Sequence, residues 1–456
     1  MTQPSPAPLA TTPAAVPVVP TPPVSTPAVP AASTPAASSA PGPKALTQPG
    51  ILARPRQFLL VAALAFMSTT PADSREALER LRTLVADEQA GERADPVVET
   101  GELGYVDRPG VAPATITVAV STAGYTALGV PIAQQPADLV PIPADIVPGA
   151  GQLTQPLPGE GDLLLHLQAD DAFVAEHVLR RVERDLVHDF TVVWAELAAQ
   201  RDGHDNPSKN TGRSLLGFLD GTSNLDPTNP DDRALVVLDH TKVGDYPPVP
   251  VVSPTDPTYG AVPGASTPFP TLRVPPTTED PSNDGGSYLA VQVNFLKTVN
   301  FDHTPIADQE RAIGRHKSSG ASLDLPPTAQ PADVPVFAAN PTNVDVPLNS
   351  HVRKANPRRP EDSKRRILRR GYPLVRRDGA TLARGLVFVA WGRSLSTQFE
   401  FVTRAWLNNP NFPTPGAGVD AMSQFVLPAV CGGYFFAPPL QDPAKPESWY
   451  VPAAAP

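Results

Sequence analysis

What most constrains the fold of this chain is a strand-then-helix pattern that keeps returning along it. Gln57-Phe-Leu-Leu-Val-Ala-Ala-Leu-Ala-Phe-Met67 is an unbroken apolar run. It is too short for a membrane-spanning helix, which takes about 20 residues, and reads as a buried strand. Residues 68–85 follow with Ser, Thr, Pro and Asp at the start and Leu78, Leu81 and Leu84 on one face, a capped helix. The pattern recurs at Thr115–Val120 with a short helix from Ser121. It recurs again at Asp162–Ala169, with a helix over 171–186 whose apolar stripe is Phe173, Val174, Val178, Leu179 and Val182. Residues 192–197 either extend that helix or form another strand. Further along, strands over 286–295 and 384–391 precede helices over 306–315 and 396–408, the last carrying Phe399, Val402 and Trp406. Such alternation with few hairpin signals predicts an α+β fold, helices on one face of a mainly antiparallel sheet. A C-terminal half over 284–445 echoes an N-terminal half over 51–235.

Proline marks what lies outside these halves. It makes up 60 of 456 residues, against a usual frequency of roughly 5 %, and it is concentrated in two places. Residues 1–43 hold no charged side chain and are nearly all Pro, Ala, Thr, Ser and Val, so a disordered tail with polyproline character is expected over about 1–50. Residues 247–283 are again rich in Pro, Thr, Ser and Gly and read as a surface insertion. The tail has no basic segment followed by an apolar one and no twin arginine, so no secretory signal is read, and a cytoplasmic location is expected.

Charge and cysteine exclude several function classes. The net charge of −10 disfavours nucleic acid as a partner, because phosphate binding needs surplus basic surface. A membrane partner has no segment to support it. The single cysteine, Cys431, excludes disulfides within the chain and cysteine zinc sites. None of the eight histidines forms a His-x-x-x-His or His-Glu-x-x-His pair, which leaves a multi-histidine metal centre without support. The run Arg358, Arg359, Lys364, Arg365, Arg366 reads as a solvated basic face, with Arg369 and Arg370 set apart from it.

Resemblance gives the remaining motifs their meaning. Gly217-Phe-Leu-Asp-Gly-Thr-Ser-Asn224 resembles the GxxDG signature of the dye-decolourising peroxidases. Similar blocks follow in that family's order: Gly285-Gly-Ser-Tyr-Leu289, Gln309-Glu-Arg-Ala-Ile-Gly-Arg315, Ser350-His-Val-Arg-Lys-Ala-Asn-Pro-Arg358, Ile367-Leu-Arg-Arg-Gly371 and Gly385-Leu-Val-Phe-Val389. Gln398-Phe-Glu-Phe and Trp406-Leu-Asn-Asn complete the set, and the resemblance spans roughly residues 55–440. It implies two ferredoxin-like halves with one haem b in the C-terminal half. His351 matches the axial ligand of the haem iron, Asp220 the distal carboxylate and Arg369 the distal arginine. Arg370 lies next to it, and a slip of one residue would exchange the two at the cofactor. Leu386 and Phe388 share one face of a strand by period-2 alternation, and in the family such a pair lines the haem pocket.

The roles follow from chemistry. Splitting a peroxide heterolytically moves a proton from one oxygen to the other, so it needs a base that becomes an acid, which Asp220 supplies. A cation that stays charged, Arg369, stabilises the charge on the leaving oxygen. A carboxylate holding the second nitrogen of His351 increases its donation to iron, and Asp420 is a candidate by position. Trp391, Trp406, Tyr288, Tyr372 and Tyr434 are available to carry oxidising equivalents to bulky substrates. The expected function is an H2O2-dependent haem peroxidase acting on dyes and phenolic aromatics by one-electron steps. A haem-binding or haem-transfer protein, or a compartment cargo acting through its Pro-rich tail, are the alternatives. A homo-oligomer and a docking partner for residues 1–43 remain open.

Overall fold

The computed structural model describes residues 46–90, 112–143, 146, 159–200, 212–249, 272–340 and 342–454. Of the tail expected over about 1–50, residues 1–45 lie outside them, but 46–50 belong to the fold rather than to a tail: Gln48 and Gly50 are buried and Pro49–Leu52 is a short helix. Most of the 247–283 insertion also lies outside the described residues. Eight strands form one sheet: β1 (Phe58–Phe66), β2 (Thr115–Val120), β3 (Leu163–Ala169), β4 (Phe190–Ala199), β5 (Ser287–Leu296), β6 (Leu368–Asp378), β7 (Thr381–Gly392) and β8 (Val426–Ala437). Their spatial order is β4-β1-β3-β2-β8-β5-β7-β6, and every pairing is antiparallel. Each half therefore lays down its first, second, third and fourth strand in the same order, fourth-first-third-second. The fold is α+β and duplicated, as the strand-helix pattern predicts.

The stretch over 192–197 is part of β4, not a helix extension. The expected helix over 171–186 is present as Ala172–Asp185, with the Asp171 carboxylate accepting from the Phe173 amide at its start. With the helix Pro71–Ala90 it covers one face of the first four strands, joining Leu78, Leu81, Val174, Val178 and Val182 to Leu60, Val118 and Leu165 in one apolar cluster. Each of these buried side chains contributes roughly 1.5–3 kcal/mol. The other face is apolar as well. Val61 and Leu164 from the first half meet Val291, Val293, Leu368 and Trp391 from the second in a shared core. The sheet curls around that core until its two edges approach, and Arg376 on β6 pairs with Glu196 on β4.

His177 is buried beside Glu88, with 3.4 Å between Nε2 and Oε1. Cys431 is a buried thiol whose pKa burial pushes up to about 12, in keeping with an inert core residue. Among the described residues no helix is long and apolar enough to cross a membrane.

Candidate active site

Strand period separates the two adjacent arginines of β6. Arg369 and Gly371 face a cavity of about 290 Å³ that Asp220, His351, Leu386 and Phe388 also line. Arg370 points to the opposite face of the sheet. There it is 4 % exposed and donates to the carbonyls of Gly50 at 2.7 Å, Ile51 at 2.7 Å and Ala53 at 2.6 Å. Arg370 is therefore not at the cofactor position that a one-residue slip allowed; successive strand side chains point to opposite faces.

Asp220 is presented by a tight loop. Gly217 and Gly221 flank it at φ +81° and +64°, a left-handed backbone that glycine adopts without steric cost. The Gly221 amide donates to Asp220 Oδ1 at 2.6 Å, and the Asp220 amide donates to the Gly212 carbonyl. Asn224, in the same motif, pairs with the main chain of Arg369 like a neighbouring strand: its Oδ1 accepts from the Arg369 amide at 3.0 Å and its Nδ2 donates to the Arg369 carbonyl at 2.7 Å. Loop and edge strand are thereby fixed to each other, with Arg369 Nη2 standing 3.9 Å from Asp220 Oδ1.

His351 opens the short helix His351–Ala355. Lys354 anchors that helix by donating to the carbonyls of Trp406 at 3.1 Å and Asn409 at 2.6 Å; it is fully buried, and burial pulls its pKa down to about 8. His351 Nδ1 lies 2.7 Å from Asp420 Oδ2. Burial opposes the charged imidazole, but the Asp420 carboxylate outweighs it and holds the pKa above its ordinary value. That contact assigns the Nδ1 proton toward Asp420, and among the described residues Nε2 has no hydrogen-bond partner. The ring lines the cavity, and 43 % of the side-chain surface is accessible. The Asp420 Oδ1 accepts from the Met422 amide, and the Ala421 amide donates to the Asn349 carbonyl, so the two loops are spliced side by side.

Apolar walls come from Leu386 and Phe388 on β7 and from Phe399, Val402 and Leu407. The last three lie on the expected helix, which runs here in two widened stretches, Leu395–Phe399 and Val402–Leu407, with i→i+5 turns. Such widening re-aims side chains and occurs often at functional sites.

The basic run divides: Lys364 is exposed and Arg359 is 41 % accessible, as expected of a solvated face, but the other three turn inward. Arg358, Arg365 and Arg366 line the cavity with Arg315, and Arg365 is 6 % exposed. Arg315 and Arg358 both donate to the Ser223 hydroxyl, and neither forms an ion pair with a carboxylate among the described residues. Burial, and after it the nearby guanidiniums, hold both pKa values down to about 10. Arg358 adopts φ +66°, a conformation rare outside glycine that is retained where the surroundings enforce it. These side chains form a cationic corner suited to an anion. The five aromatic residues considered as carriers are all buried, each at 2 % exposure or less.

The two halves of the chain are matched in turn by family models: the N-terminal model of the Dyp-type peroxidases over residues 48–197 and the C-terminal model over residues 268–442. The chain belongs to the Dyp-type peroxidase family. Among curated relatives, the deferrochelatase of Escherichia coli O157:H7 is 29 % identical over 287 residues, which cover 61 % of this chain and 55 % of the relative. The chain thus spans about half the length of the curated relatives it matches. A crystal structure of a DyP-type peroxidase from Cellulomonas bogoriensis shares the fold with a TM-score of 0.61 at 23 % identity, covering 90 % of this chain and 97 % of that one. A DypB variant from Rhodococcus jostii RHA1, solved in complex with heme, aligns with a TM-score of 0.56 at 21 % identity, covering 88 % of this chain and 98 % of that one.

Within the Dyp-type fold, sequence reasoning left three features of this site without a role. Asn224 lies inside the quoted GxxDG block, but its partner is the main chain of β6. Lys354 bonds only to carbonyls. The Ser223, Arg315 and Arg358 corner is assembled from three distant segments, and the strained φ of Arg358 has no counterpart in residue type.

Proposed function

We propose that the chain is a haem b peroxidase that uses H2O2 to oxidise dyes and phenolic aromatics by one-electron steps. The observation carrying this reading is that Asp220, Arg369 and the Nε2 side of His351 share one apolar-walled cavity. The cavity suits an iron porphyrin on its own chemistry. It offers the His351 Nε2, which has no hydrogen-bond partner among the described residues, an apolar wall, and a cationic corner at Ser223, Arg315 and Arg358 that would take the two carboxylates of the cofactor. When bound, haem would supply the redox centre at which the peroxide is reduced.

The protein's own groups then divide the work. Asp420 holds the Nδ1 proton of His351 and fixes the ring's orientation, so that in the neutral ring the Nε2 lone pair faces the cavity. Asp220 takes the proton of the entering peroxide and returns it to the leaving oxygen, which general acid-base catalysis rewards by roughly 10²- to 10⁴-fold. Arg369, 3.9 Å from Asp220, stabilises the negative charge that appears on that oxygen and stays protonated while doing so. Leu386 and Phe388 narrow the space and exclude water. Peroxide and small aromatic molecules are the partners of this reaction.

The test is the Soret band of the haem-reconstituted protein before and after one equivalent of H2O2, with His351→Ala and Asp220→Asn beside the wild type. The wild-type band shifts with peroxide; His351→Ala loses or displaces it. Asp220→Asn keeps its haem and reacts about 10²- to 10⁴-fold more slowly. A wild type that binds haem but ignores peroxide would leave haem binding or transfer as the function.

A further inference from the structure

Gly371 sits within the edge strand β6, where its backbone is extended and needs no glycine. Glycine inside a strand weakens it and marks a place where another group comes close. Here the close group is Asp220: a Cβ on residue 371 would lie 2.8 Å from Asp220 Oδ2 and 3.2 Å from Leu386 Cδ1. The other carboxylate oxygen, Oδ1, is already held by the Gly221 amide and faces Arg369. Any side chain at 371 therefore turns the carboxylate away from the place that the loop and Arg369 define.

A second observation concerns what the two residues separate. Besides the main cavity there is a small chamber of about 10 Å³, walled by Gln200, Gly212, Arg213, Ser214 and Pro373. That is room for about one water molecule. Asp220 and Gly371 are the two residues that line both spaces. The carboxylate thus stands in the partition, and the bare backbone of Gly371 is the rest of it.

We propose that Gly371 is a positioning residue: its missing side chain keeps the Asp220 carboxylate seated in this partition beside Arg369, able to exchange a proton with the cavity on one side and the one-water chamber on the other. This rests on the peroxidase reading of Asp220. The atom a methyl group would displace is the end of a flexible side chain, so function suffers while the scaffold does not.

The experiment compares wild type, Gly371→Ala, Asp220→Ala and the double variant, all as full chains loaded with haem. Three quantities are read: the rate of Soret change with H2O2, the association rate of cyanide, and the melting temperature. Hydrogen cyanide must give up its proton on binding, so it reports the base without turnover. In Gly371→Ala both rates fall by about 10- to 100-fold, the scale of a misplaced catalytic group, at unchanged melting temperature and haem content. In the Asp220→Ala background the same substitution changes neither rate further.

An equal loss in both backgrounds would mean a steric block of the cavity and would overturn the proposal. Wild-type rates in Gly371→Ala, with Asp220→Ala slow, would sink the proposal alone. Loss of haem or of fold in Gly371→Ala would also overturn it, because the glycine would then serve the scaffold. An Asp220→Ala protein as fast as wild type would instead remove the peroxidase reading on which it stands.

Discussion

Two neighbouring residues of one kind, Arg369 and Arg370, do opposite jobs. Arg369 is 32 % accessible at its side chain and stands across from Asp220 in the cavity, while Arg370 holds three backbone carbonyls on the far face of the sheet. Substituting each by Met should separate the roles. Arg370→Met leaves the Ile51 and Ala53 carbonyls without this donor, while the Gly50 carbonyl keeps its bond from Gln168 Nε2. At about 1–3 kcal/mol for each orphaned acceptor it lowers stability by about 2 kcal/mol or more and leaves the peroxide rate of the folded protein near wild type. Arg369→Met costs under about 1 kcal/mol, as expected for a long, partly exposed ion pair. Its peroxide rate falls roughly 10²- to 10³-fold, the usual effect of removing one charge-stabilising donor. Urea titration and stopped-flow absorbance check the two halves of this statement, and the reverse assignment would interchange them. The motifs made His351, Asp220 and Arg369 legible, but left a one-residue slip to Arg370 open. Asp420 was legible only as a nearby carboxylate, because its contact with His351 joins residues 69 positions apart. Asn224 and Lys354 act on main-chain groups, which no pattern of side chains records.

Elements were legible in proportion to how apolar and uninterrupted they are. β1, β3 and β5 are buried along nearly their whole length; β1 is a continuous apolar run, and β3 and β5 stay mainly apolar, broken inside only by His166, Gln168, Gln292 and Asn294. β6 does not, because Pro373 and the arginines at 369, 370, 376 and 377 break its pattern; as an edge strand it tolerates a proline whose missing amide faces away from the sheet. β8 is interrupted by Gly432 and Gly433, and a Cβ at 432 would lie 2.5 Å from the Val291 carbonyl of the paired strand β5. Close approach, not loop structure, explains that glycine. The joint between β8 and the segment entering β3 also carries a titrating group. Glu160 accepts from the amides of Ile142 and Tyr434, yet burial pushes its pKa up to about 7 from an ordinary 4.5. The folded state therefore favours the protonated acid: this contribution to stability is fully present below about pH 4.5 and is lost as pH rises through 7. Relative to Glu160→Gln, which carries no charge at any pH, the wild type should lose up to about 3 kcal/mol between pH 4.5 and 8. Urea unfolding of both proteins across that range measures the gap, and a constant gap would refute the assignment.

At the scale of the whole molecule, the duplication was legible from the repeated strand-helix pattern, but the seam between the halves was not. β2 and β8 share a single registered pair, Val120 with Phe436. Beyond it the two chains diverge, and a side chain takes the place of the missing backbone. Gln48, 1 % exposed, accepts from the Val118 amide at 3.0 Å and donates to the carbonyls of Val118 and Pro438, each at 2.9 Å. One amide side chain thereby bonds to the free edge of β2 and to the chain leaving β8. Gln48→Leu has nearly the same shape and none of these bonds, so it strands up to three buried backbone groups at about 1–3 kcal/mol each. We expect it to lower stability by about 3 kcal/mol when all three are stranded. Unfolding should nevertheless remain one transition, because the inner core mixes Val61 and Leu164 of the first half with Val291 and Trp391 of the second, and that core is intact in the variant. The cavity is lined by residues from Asp220 onward and includes nothing from this seam, so the peroxide rate below the melting point should equal that of wild type. Two separate transitions in a denaturant titration would instead mean that each half holds its own fold and that Gln48, not the shared core, couples them.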